Sequence, residues 1–350
     1  KKPLFLGGSG VRFSDNSMAL RSFIEKSGVP FMLLNYGRGE LPDDHPNSVM
    51  DMGQLGLFFS LGQNDVIVAA GIRFNWLLQF GTVIPPTVKI VRIDIDPLEI
   101  NRNVGATVGL VGDVGSVLEQ ITPFVNKNDH SEWANTLKAA GRSLLDYEIR
   151  MRETASDPIH PARLVAQIQK FVGDDAIYVA DGGDTQYFGL YFSTKEKAGV
   201  VASAAGLLGC LGTGIPFGMA AKLARPDKKV VVLNGDGSFG FNAMEFDTMV
   251  RHNIPVVCVI VNDCAWGMIK HSQEVSSGKD RLQCSELGLR RYEKIVEGLG
   301  GHGEFVTRDE EIIPALKRAF DSGKPACINV ITDPTITSPA THLFYQSLKM

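Results

Sequence analysis

The sequence predicts an α/β protein with two parallel-sheet domains, because two series of short apolar runs alternate with amphipathic stretches. A polar, charged segment separates the two series, and the length of 350 residues suits two domains that each bury a core. We therefore expect two three-layer domains over residues 1–125 and 158–350, joined by a helical linker over 126–157.

Nine apolar runs are the candidate strands. Each is short and is followed by residues typical of turns, as expected for strands that are buried in a parallel sheet. The linker carries Trp133, Leu137 and Leu144 at helical spacing. The strands are predicted at 4–6, 31–34, 66–70, 89–95 and 108–111 in the first series, and at 176–180, 230–233, 256–261 and 326–331 in the second.

Composition excludes several function classes. A formal charge of −4, with acidic and basic residues interspersed, lacks the basic stripe that nucleic-acid binding requires. The five cysteines show no metal-ligand spacing, which favours a reducing, cytoplasmic compartment without zinc. Segment 200–221 has no charged residue, but its glycines and Pro216 favour a buried turn and helix over a membrane span. The expected partner is therefore a small-molecule substrate.

Polar residues follow two consecutive strands of the second domain. Strand 230–233 runs into Gly235-Asp236-Gly237-Ser238, and Asn262 ends the strand at 256–261. Strands joined by a right-handed crossover can be neighbours about 4.8 Å apart, so both polar ends would face one crevice. Between them, Asn242 and Glu245 have the spacing of a capping box, which predicts that a helix opens there and runs to about His252.

These residue types suit a hard cation that bridges phosphates. The Asp236 carboxylate, the Asn262 amide oxygen and a backbone carbonyl are ligands that Mg²⁺ accepts, with phosphate and water completing the octahedron. Gly237 and Ser238 would let backbone N–H groups approach a diphosphate. A Gly-Asp-Gly sequence is also common in ordinary turns, and that alternative is weakened by the strand–helix–strand context.

The span from Gly235 to Asn262 resembles the thiamine-diphosphate fingerprint, whose usual form ends in two asparagines; Val261 replaces the first. Residues 38–46, 65–81 and 262–267 resemble the acetolactate-synthase-like branch, which includes benzaldehyde lyase, oxalyl-CoA decarboxylase and 2-hydroxyacyl-CoA lyase. The resemblance implies a Rossmann-like middle domain, a diphosphate-binding domain, thiamine diphosphate and Mg²⁺. It also implies a third metal ligand, the carbonyl oxygen of Cys264.

Further positions carry over from the resemblance one by one. Asp184 and Thr185 fall where the family contacts the diphosphate, although the same residues would make an ordinary turn. Leu211 takes the place of the apolar residue that bends the cofactor. His271 could reach the pocket, but the sequence shows no partner for it. The candidates for lining the substrate pocket, which could equally be core residues, are Trp266, Met268 and Ile269.

The first domain could hold a nucleotide. Gly7-Gly-Ser-Gly10 follows one predicted strand and Asp94-Ile-Asp-Pro97 ends another, in the manner of a Rossmann arrangement without a full dinucleotide motif. Some relatives bind FAD, ADP or the nucleotide of CoA in this domain and others leave it empty. Both outcomes stay open on the sequence.

The implied activity is cleavage or formation of a C–C bond in a 2-keto acid, 2-hydroxy ketone or 2-hydroxyacyl-CoA. The family's activating Glu lies in an N-terminal pyrimidine-binding domain that this sequence does not contain. We therefore expect residues 1–350 to be inactive alone, with that domain supplied by a longer chain or a partner in a homodimer or homotetramer. The alternative is a nucleotide-binding regulatory or scaffold module without catalysis; an NAD-dependent dehydrogenase is disfavoured by the missing dinucleotide motif.

Overall fold

The computed structural model describes residues 1–50, 53–189, 200–202, 209–339 and 341. The described residues form two compact units, the first over 1–146 and the second from 147 onward. Every strand pairing within each unit is parallel, and helices connect the strands. The predicted α/β class is therefore confirmed.

The first unit contains one sheet, and the described residues contribute five strands to it in the order β2-β1-β3-β4-β5. Strand β2 is added on one side of β1, and β3 to β5 are added on the other side. This switch in strand order between β1 and β3 leaves a crevice at the carboxyl ends of these two strands. The strands are β1 (Pro3–Gly7), β2 (Phe31–Leu33), β3 (Val66–Ala70), β4 (Lys89–Asp94) and β5 (Val108–Val111). The helices are α1 (Ser9–Phe13), α2 (Ser17–Ser27), α3 (Gly53–Leu61), α4 (Val114–Ile121) and α5 (Ser131–Leu144).

Helix α5 belongs to the core of the first unit. Trp133 and Leu137 are buried in the same apolar cluster as Leu4, Ile67 and Ile90 of the sheet. The indole N–H of Trp133 also donates a hydrogen bond of 3.1 Å to the carbonyl of Pro3. The segment predicted as a helical linker is thus helical, and its first helix packs on the first sheet.

The second unit contains the larger sheet, with six described strands in the order β10-β11-β9-β8-β6-β7. Strand β7 is added on one side of β6, and β8 is added on the other side. The strand order therefore switches between β6 and β8, and the crevice of this sheet lies beyond their carboxyl ends. The strands are β6 (Ile177–Asp181), β7 (Val200–Ala202), β8 (Val230–Gly235), β9 (Val257–Asn262), β10 (His302–Val306) and β11 (Ala326–Ile331). The helices are α6 (Asp146–Glu153), α7 (Pro161–Val172), α8 (Asp184–Gly189), α9 (Gly214–Ala224), α10 (Asp236–Asn242), α11 (Glu245–Arg251), α12 (Gly267–Ser277), α13 (Tyr292–Gly298) and α14 (Ile312–Asp321).

Two strands, β7 and β10, were not predicted from the sequence. Strand β10 reads His-Gly-Glu-Phe-Val and buries only Val306 fully, so it lacks the apolar run of a central strand. Among the described strands it lies at one edge of the sheet and pairs only with β11. Backbone pairing, and not apolar content, therefore defines this strand.

The capping-box prediction at Asn242 is wrong. Helix α10 begins at Asp236, directly after β8, and Asn242 is its last residue. The Asn242 side chain donates to the carbonyl of Gly212, and the described residues provide no side-chain cap for the next helix, α11. The predicted end near His252 agrees with the end of α11 at Arg251.

The uncharged segment 200–221 contains β7 and most of α9, while residues 203–208 lie outside the described part. Among the described residues, none of the helices combines the length and apolar character that a membrane crossing needs.

Candidate functional site

The predicted polar residues meet at the crevice of the second sheet. In the pairing register, Asp181 of β6 faces Asn234 of β8, and Gly235 of β8 faces Val261 of β9. Asp236 and Asn262 therefore stand at the carboxyl ends of neighbouring strands, as the sequence predicted.

The Asp236 carboxylate is buried and only half satisfied. Its side chain belongs to a residue that is 2% exposed, and Oδ1 accepts a hydrogen bond of 2.7 Å from the Gly237 amide. Oδ2 has no hydrogen-bond partner among the described residues. Burial raises the pKa of Asp236, and the charge of Asp263 raises it further. A cation beside Oδ2 would relieve both effects.

Asp263 was not predicted as part of this site. Burial raises the pKa of Asp263 too, and the charge of Asp184 adds to the rise. Its Oδ1 accepts from the Ala265 amide at 3.2 Å. No cluster of three or more His, Cys, Asp or Glu side chains in the described ranges could hold a metal. A cation here would need amide, carbonyl or ligand oxygens as well, which is the donor set that suits Mg²⁺.

Asn262 offers one such oxygen. The side chain is fully buried, and its Oδ1 accepts a hydrogen bond of 3.0 Å from the Cys264 amide. Its Nδ2 donates to Oδ1 of Asn329 at 2.9 Å. An amide oxygen has two lone pairs, so Oδ1 keeps one acceptor position for a cation.

The Cys264 carbonyl is more heavily committed. Cys264 has a positive φ of 61°, and its carbonyl oxygen accepts from the amides of Leu287 at 2.8 Å and Gly288 at 3.0 Å. These two hydrogen bonds engage both lone pairs. This oxygen fits a cation only if one of the two amides is released, and its role as the third ligand stays a prediction.

The turn after β8 is shaped by close contact with an indole ring. A Cβ atom on Gly237 would lie 2.5 Å from the ring of Trp266, so a glycine is required at this position. The Ser238 hydroxyl donates to Oδ1 of Asp181 at 3.1 Å and thus points into the protein. Only the backbone of Ser238 is available toward the crevice.

Asp181 organises the far side of the crevice, which sequence reasoning missed. The residue is fully buried, burial raises its pKa, and its Oδ2 accepts from the Gly214 amide at 2.7 Å. Leu211 is half-buried just before Gly212, whose φ is +84° and whose carbonyl accepts from Asn242. The position of Asp181 at a strand end next to the crevice was the available signal.

The predicted phosphate contacts divide in the structure. Thr185 is buried against Gly235, since a Cβ atom added to Gly235 would lie 3.2 Å from Oγ1 of Thr185. Asp184 instead accepts from the Ser338 amide at 3.1 Å, and its Oδ2 lies 3.5 Å from Nδ1 of His271. Thr185 therefore lies beside the turn after β8, and Asp184 faces the segment after β11.

His271 does have partners, contrary to the sequence interpretation. Its Nδ1 faces Asp184, and its Nε2 lies 3.1 Å from the carbonyl of Pro334. Burial opposes the charged form, but these two groups outweigh burial and raise the pKa of His271. Because the partners lie far away along the chain, their proximity could not be read from local spacing.

The three residues predicted to line the substrate pocket have different environments. Trp266 is half-buried and packs edge to face against Phe241, with ring centroids 5.9 Å apart. Met268 packs on Gly183, since a Cβ atom added to Gly183 would lie 2.7 Å from the Cβ of Met268. Ile269 is 51% exposed, so it is not a core residue of this unit.

The candidate nucleotide loops of the first unit are satisfied internally. A Cβ atom on Gly8 would lie 2.5 Å from the Gly71 carbonyl, and one on Gly10 would lie 2.6 Å from Cα of Gly71. The Asp94 carboxylate accepts from the Asp96 amide at 3.0 Å. Close backbone packing and turn formation therefore account for the glycines and the carboxylate.

Two family profiles match the chain. The central domain of thiamine pyrophosphate enzymes matches residues 1–121, and their C-terminal TPP binding domain matches residues 181–330. The second match begins at Asp181 and includes Asp236, Asn262 and Asn329, but ends before Pro334 and Ser338.

Curated relatives agree with these profiles. The acetolactate synthase large subunit IlvG of Mycobacterium tuberculosis is 36% identical over 343 residues, 97% of this chain and 61% of that protein. The 2-hydroxyacyl-CoA lyase of Oryza sativa is 32% identical over 352 residues, with 95% and 59% covered. The 2-hydroxyacyl-CoA lyase 1 of Mus musculus is 30% identical over 364 residues, with 97% and 61% covered. The chain spans about three fifths of the length of these relatives.

Both profiles describe successive parts of one kind of enzyme, and their order along the chain matches the two units of the structure. The chain belongs to the thiamine pyrophosphate enzymes and carries their central and C-terminal TPP-binding domains.

Proposed function

We propose that the second unit binds thiamine diphosphate through a Mg²⁺ ion held by Asp236 and Asn262. The observation that carries this proposal is the buried Oδ2 of Asp236, which has no partner among the described residues. A buried carboxylate without a partner is costly, and a divalent cation offsets that cost. The profile match over residues 181–330 supports the identity of the cofactor.

The remaining contacts of the proposed site follow from the crevice. The Cys264 carbonyl would be the third ligand, and the longer of its two hydrogen bonds, from Gly288, is the one we expect it to release. The backbone of Gly235, Gly237 and Ser238 would face the diphosphate. Thr185 would support the opposite side, while Asp184 would act through its contacts with Ser338 and His271.

When bound, thiamine diphosphate supplies a nucleophilic carbon and an electron sink. The residues of this chain would hold and orient it: Asp181 fixes the start of α9, and Leu211 precedes that helix as the residue proposed to bend the cofactor. Trp266, Met268 and Ile269 would form an apolar wall that excludes water from the reacting carbonyl.

We further propose a C–C bond lyase or carboligase acting on a 2-keto acid, 2-hydroxy ketone or 2-hydroxyacyl-CoA. The names of the relatives, acetolactate synthases and 2-hydroxyacyl-CoA lyases, support this range of substrates. Because the chain spans about three fifths of those proteins, the activating Glu on a pyrimidine-binding domain and the assembly into a homodimer or homotetramer belong to the proposal. The proposal includes no nucleotide in the first unit, whose glycines have a packing role.

Titration calorimetry with thiamine diphosphate and Mg²⁺ tests cofactor binding directly. We expect binding by the wild-type chain and a loss of at least roughly 10- to 100-fold in affinity for Asp236→Ala, since a metal ligand is removed. Asp247→Ala is the matched control, because Asp247 is an exposed acid of α11 that pairs with Arg251. Equal binding by wild type and Asp236→Ala would overturn the proposal.

A further inference from the structure

A network of hydrogen-bonded, buried side chains extends from Asn262 away from the crevice. Asn329, in the middle of β11, accepts from Nδ2 of Asn262 at 2.9 Å and is fully buried. Its own Nδ2 donates to Oε2 of Glu293 at 2.9 Å and to the carbonyl of Arg290 at 2.9 Å. Glu293 is 1% exposed, and its other oxygen accepts from Nε of Arg291.

In each hydrogen bond of this network, the donor and the acceptor are fixed by the chemistry of the groups. A carboxylate and a carbonyl can only accept hydrogen bonds, so Glu293 and the Arg290 carbonyl require the NH₂ end of Asn329 to face them. The oxygen end of Asn329 must then face Asn262, which in turn must present its own NH₂ group. The Oδ1 of Asn262 is left pointing at the Cys264 amide and the crevice.

The reversed amide would be poorly satisfied. Turning Asn262 by 180° about its last torsion would set Nδ2 against the Cys264 amide, two donors, and Oδ1 against Oδ1 of Asn329, two acceptors. Within the described part of the chain, the one other acceptor bonded by Nδ2 of Asn262 is the Arg290 carbonyl, at 3.5 Å. The orientation of Asn262 therefore depends mainly on Asn329.

We propose that Asn329 and Glu293 are positioning residues that fix the amide of Asn262 with its oxygen toward the cation. The inference rests on the proposed function, because it assigns the oxygen they orient to a Mg²⁺ ligand. The two residues lie 67 and 31 positions from Asn262 along the chain, in β11 and α13. Outer-shell partners of this kind typically change metal affinity by roughly 10- to 100-fold when removed.

Two variants at these positions separate orientation from general stability. Asn329→Leu removes both the acceptor for Asn262 and the donor to Glu293. The exchange Glu293→Gln with Asn329→Asp reverses the direction of the link between 293 and 329, keeps an acceptor for Asn262 and leaves the net charge unchanged. The carboxylate introduced at position 329 would face the Arg290 carbonyl, so we expect this double variant to be less stable than wild type while still orienting Asn262.

The first measurement needs no cofactor. We expect the side-chain NH₂ of Asn262, assigned in nitrogen-15 spectra by its loss in Asn262→Asp, to be protected from hydrogen exchange in wild type and in the double variant. In Asn329→Leu we expect exchange at least tenfold faster. Equal exchange in all three proteins would overturn the inference whether or not thiamine diphosphate binds.

The second measurement is Mn²⁺ binding in the presence of thiamine diphosphate, followed by the spin-resonance signal of free Mn²⁺, with thermal unfolding recorded beside it. We expect a roughly 10- to 100-fold weaker affinity for Asn329→Leu and an affinity within about threefold of wild type for the double variant. Affinities that fall in step with the unfolding temperature in both variants would show a merely structural role and overturn the inference. Absence of Mn²⁺ binding in wild type would instead overturn the proposed function.

Discussion

Each of the two units contains its own parallel sheet with a crevice beside glycine-rich turns, yet the buried acids of the two units differ in what they contact. In the first unit Glu99 is 2% exposed and lies within 4.0 Å of three guanidinium groups. In the second unit Asp236 is equally buried, but one oxygen lacks a partner among the described residues. The arginines around Glu99 are Arg73, Arg92 and Arg102.

This difference distinguishes an acid whose charge is compensated within its unit from an acid that we propose to be a cation ligand. A buried carboxylate surrounded by guanidinium groups has its charge compensated within the unit. A buried carboxylate with a raised pKa and a repelling neighbour stores unfavourable free energy that a bound cation could relieve. The same sheet architecture can thus hold a buried acid whose charge is compensated by arginines, or one that a bound cation would compensate.

The largest expected effect is at Glu99. Glu99→Gln removes the larger of two carboxylate charges that stabilise Arg92, which is 1% exposed, and leaves the charge of Asp94; we expect a loss of about 3–5 kcal/mol in unfolding free energy. Urea unfolding measures this change. Asp321→Asn is the control, because the Asp321 side chain is 61% exposed in its pair with Lys317. A loss below about 1 kcal/mol, as for surface pairs, would remove the contrast between the units.

The second effect concerns the glycines of the first unit. Gly71 has a φ of +54°, and a Cβ atom on it would lie 2.5 Å from Cα of Gly10. We expect Gly71→Ala to lower the unfolding free energy by about 2–3 kcal/mol through backbone strain and overpacking. Gly105→Ala should be nearly neutral, since nothing lies within 4 Å of its added methyl. A neutral Gly71→Ala would leave these glycines free for another role, such as nucleotide binding.

The third effect has the opposite sign. Asp236→Asn replaces a carboxyl group whose ionised form is disfavoured by burial and by the charge of Asp263, so we expect the cofactor-free protein to gain about 1 kcal/mol in unfolding free energy. Urea unfolding without Mg²⁺ or thiamine diphosphate checks the gain. A loss in stability comparable with that of Glu99→Gln would mean that Asp236 is a structural acid like its counterpart.

The smallest effect depends on pH. Each unit buries a histidine that accepts a backbone N–H two residues later: His45 from Asn47 and His160 from Ala162, both at 3.1 Å. Burial lowers the pKa of both below the ordinary histidine value of 6.5; Glu25 partly opposes this for His45 by a hydrogen bond and by its charge, and Asp333 opposes it for His160 by its charge alone. The neutral forms are favoured, so this stability is present above pH 6.5 and is lost as the pH falls through the folded-state pKa.

We therefore expect acid to weaken the contribution of His160 to stability more than that of His45. His160→Asn should reduce the loss of unfolding free energy between pH 7.5 and 5.5 by about 0.5–1 kcal/mol, and His45→Asn should reduce it by less. Urea unfolding at both pH values provides the comparison. A steeper pH dependence in His160→Asn would contradict the assigned direction of the shift.

The sequence predicted the central strands well because apolar runs and turn residues coincide there. Strands β3, β5 and β11 have the predicted limits, and the other predicted strands differ by one or two residues at one or both ends. The three-residue strand β7 and the polar strand β10 are edge strands with weak local signals. Pairing with a distant segment defines them, and local composition does not record that pairing.

The site shows the same division. The local order of strand, Gly-Asp-Gly and strand predicts that Asp236 and Asn262 end neighbouring strands. Contacts between residues far apart in sequence could not be predicted this way: Asn329 on Asn262, Asp181 on Ser238, and Asp184 on His271. Burial, and then the charge of Asp263, raise the pKa of Asp236, and burial depends on the whole packed unit.

Thermal unfolding of wild type and Asp236→Asn, each with and without thiamine diphosphate and Mg²⁺, tests most directly whether Asp236 is held for a cation. We predict that the cofactor and Mg²⁺ raise the unfolding temperature of wild type, that a metal chelator cancels the rise, and that Asp236→Asn shows no rise from a higher starting value. An equal rise in both proteins would contradict the account.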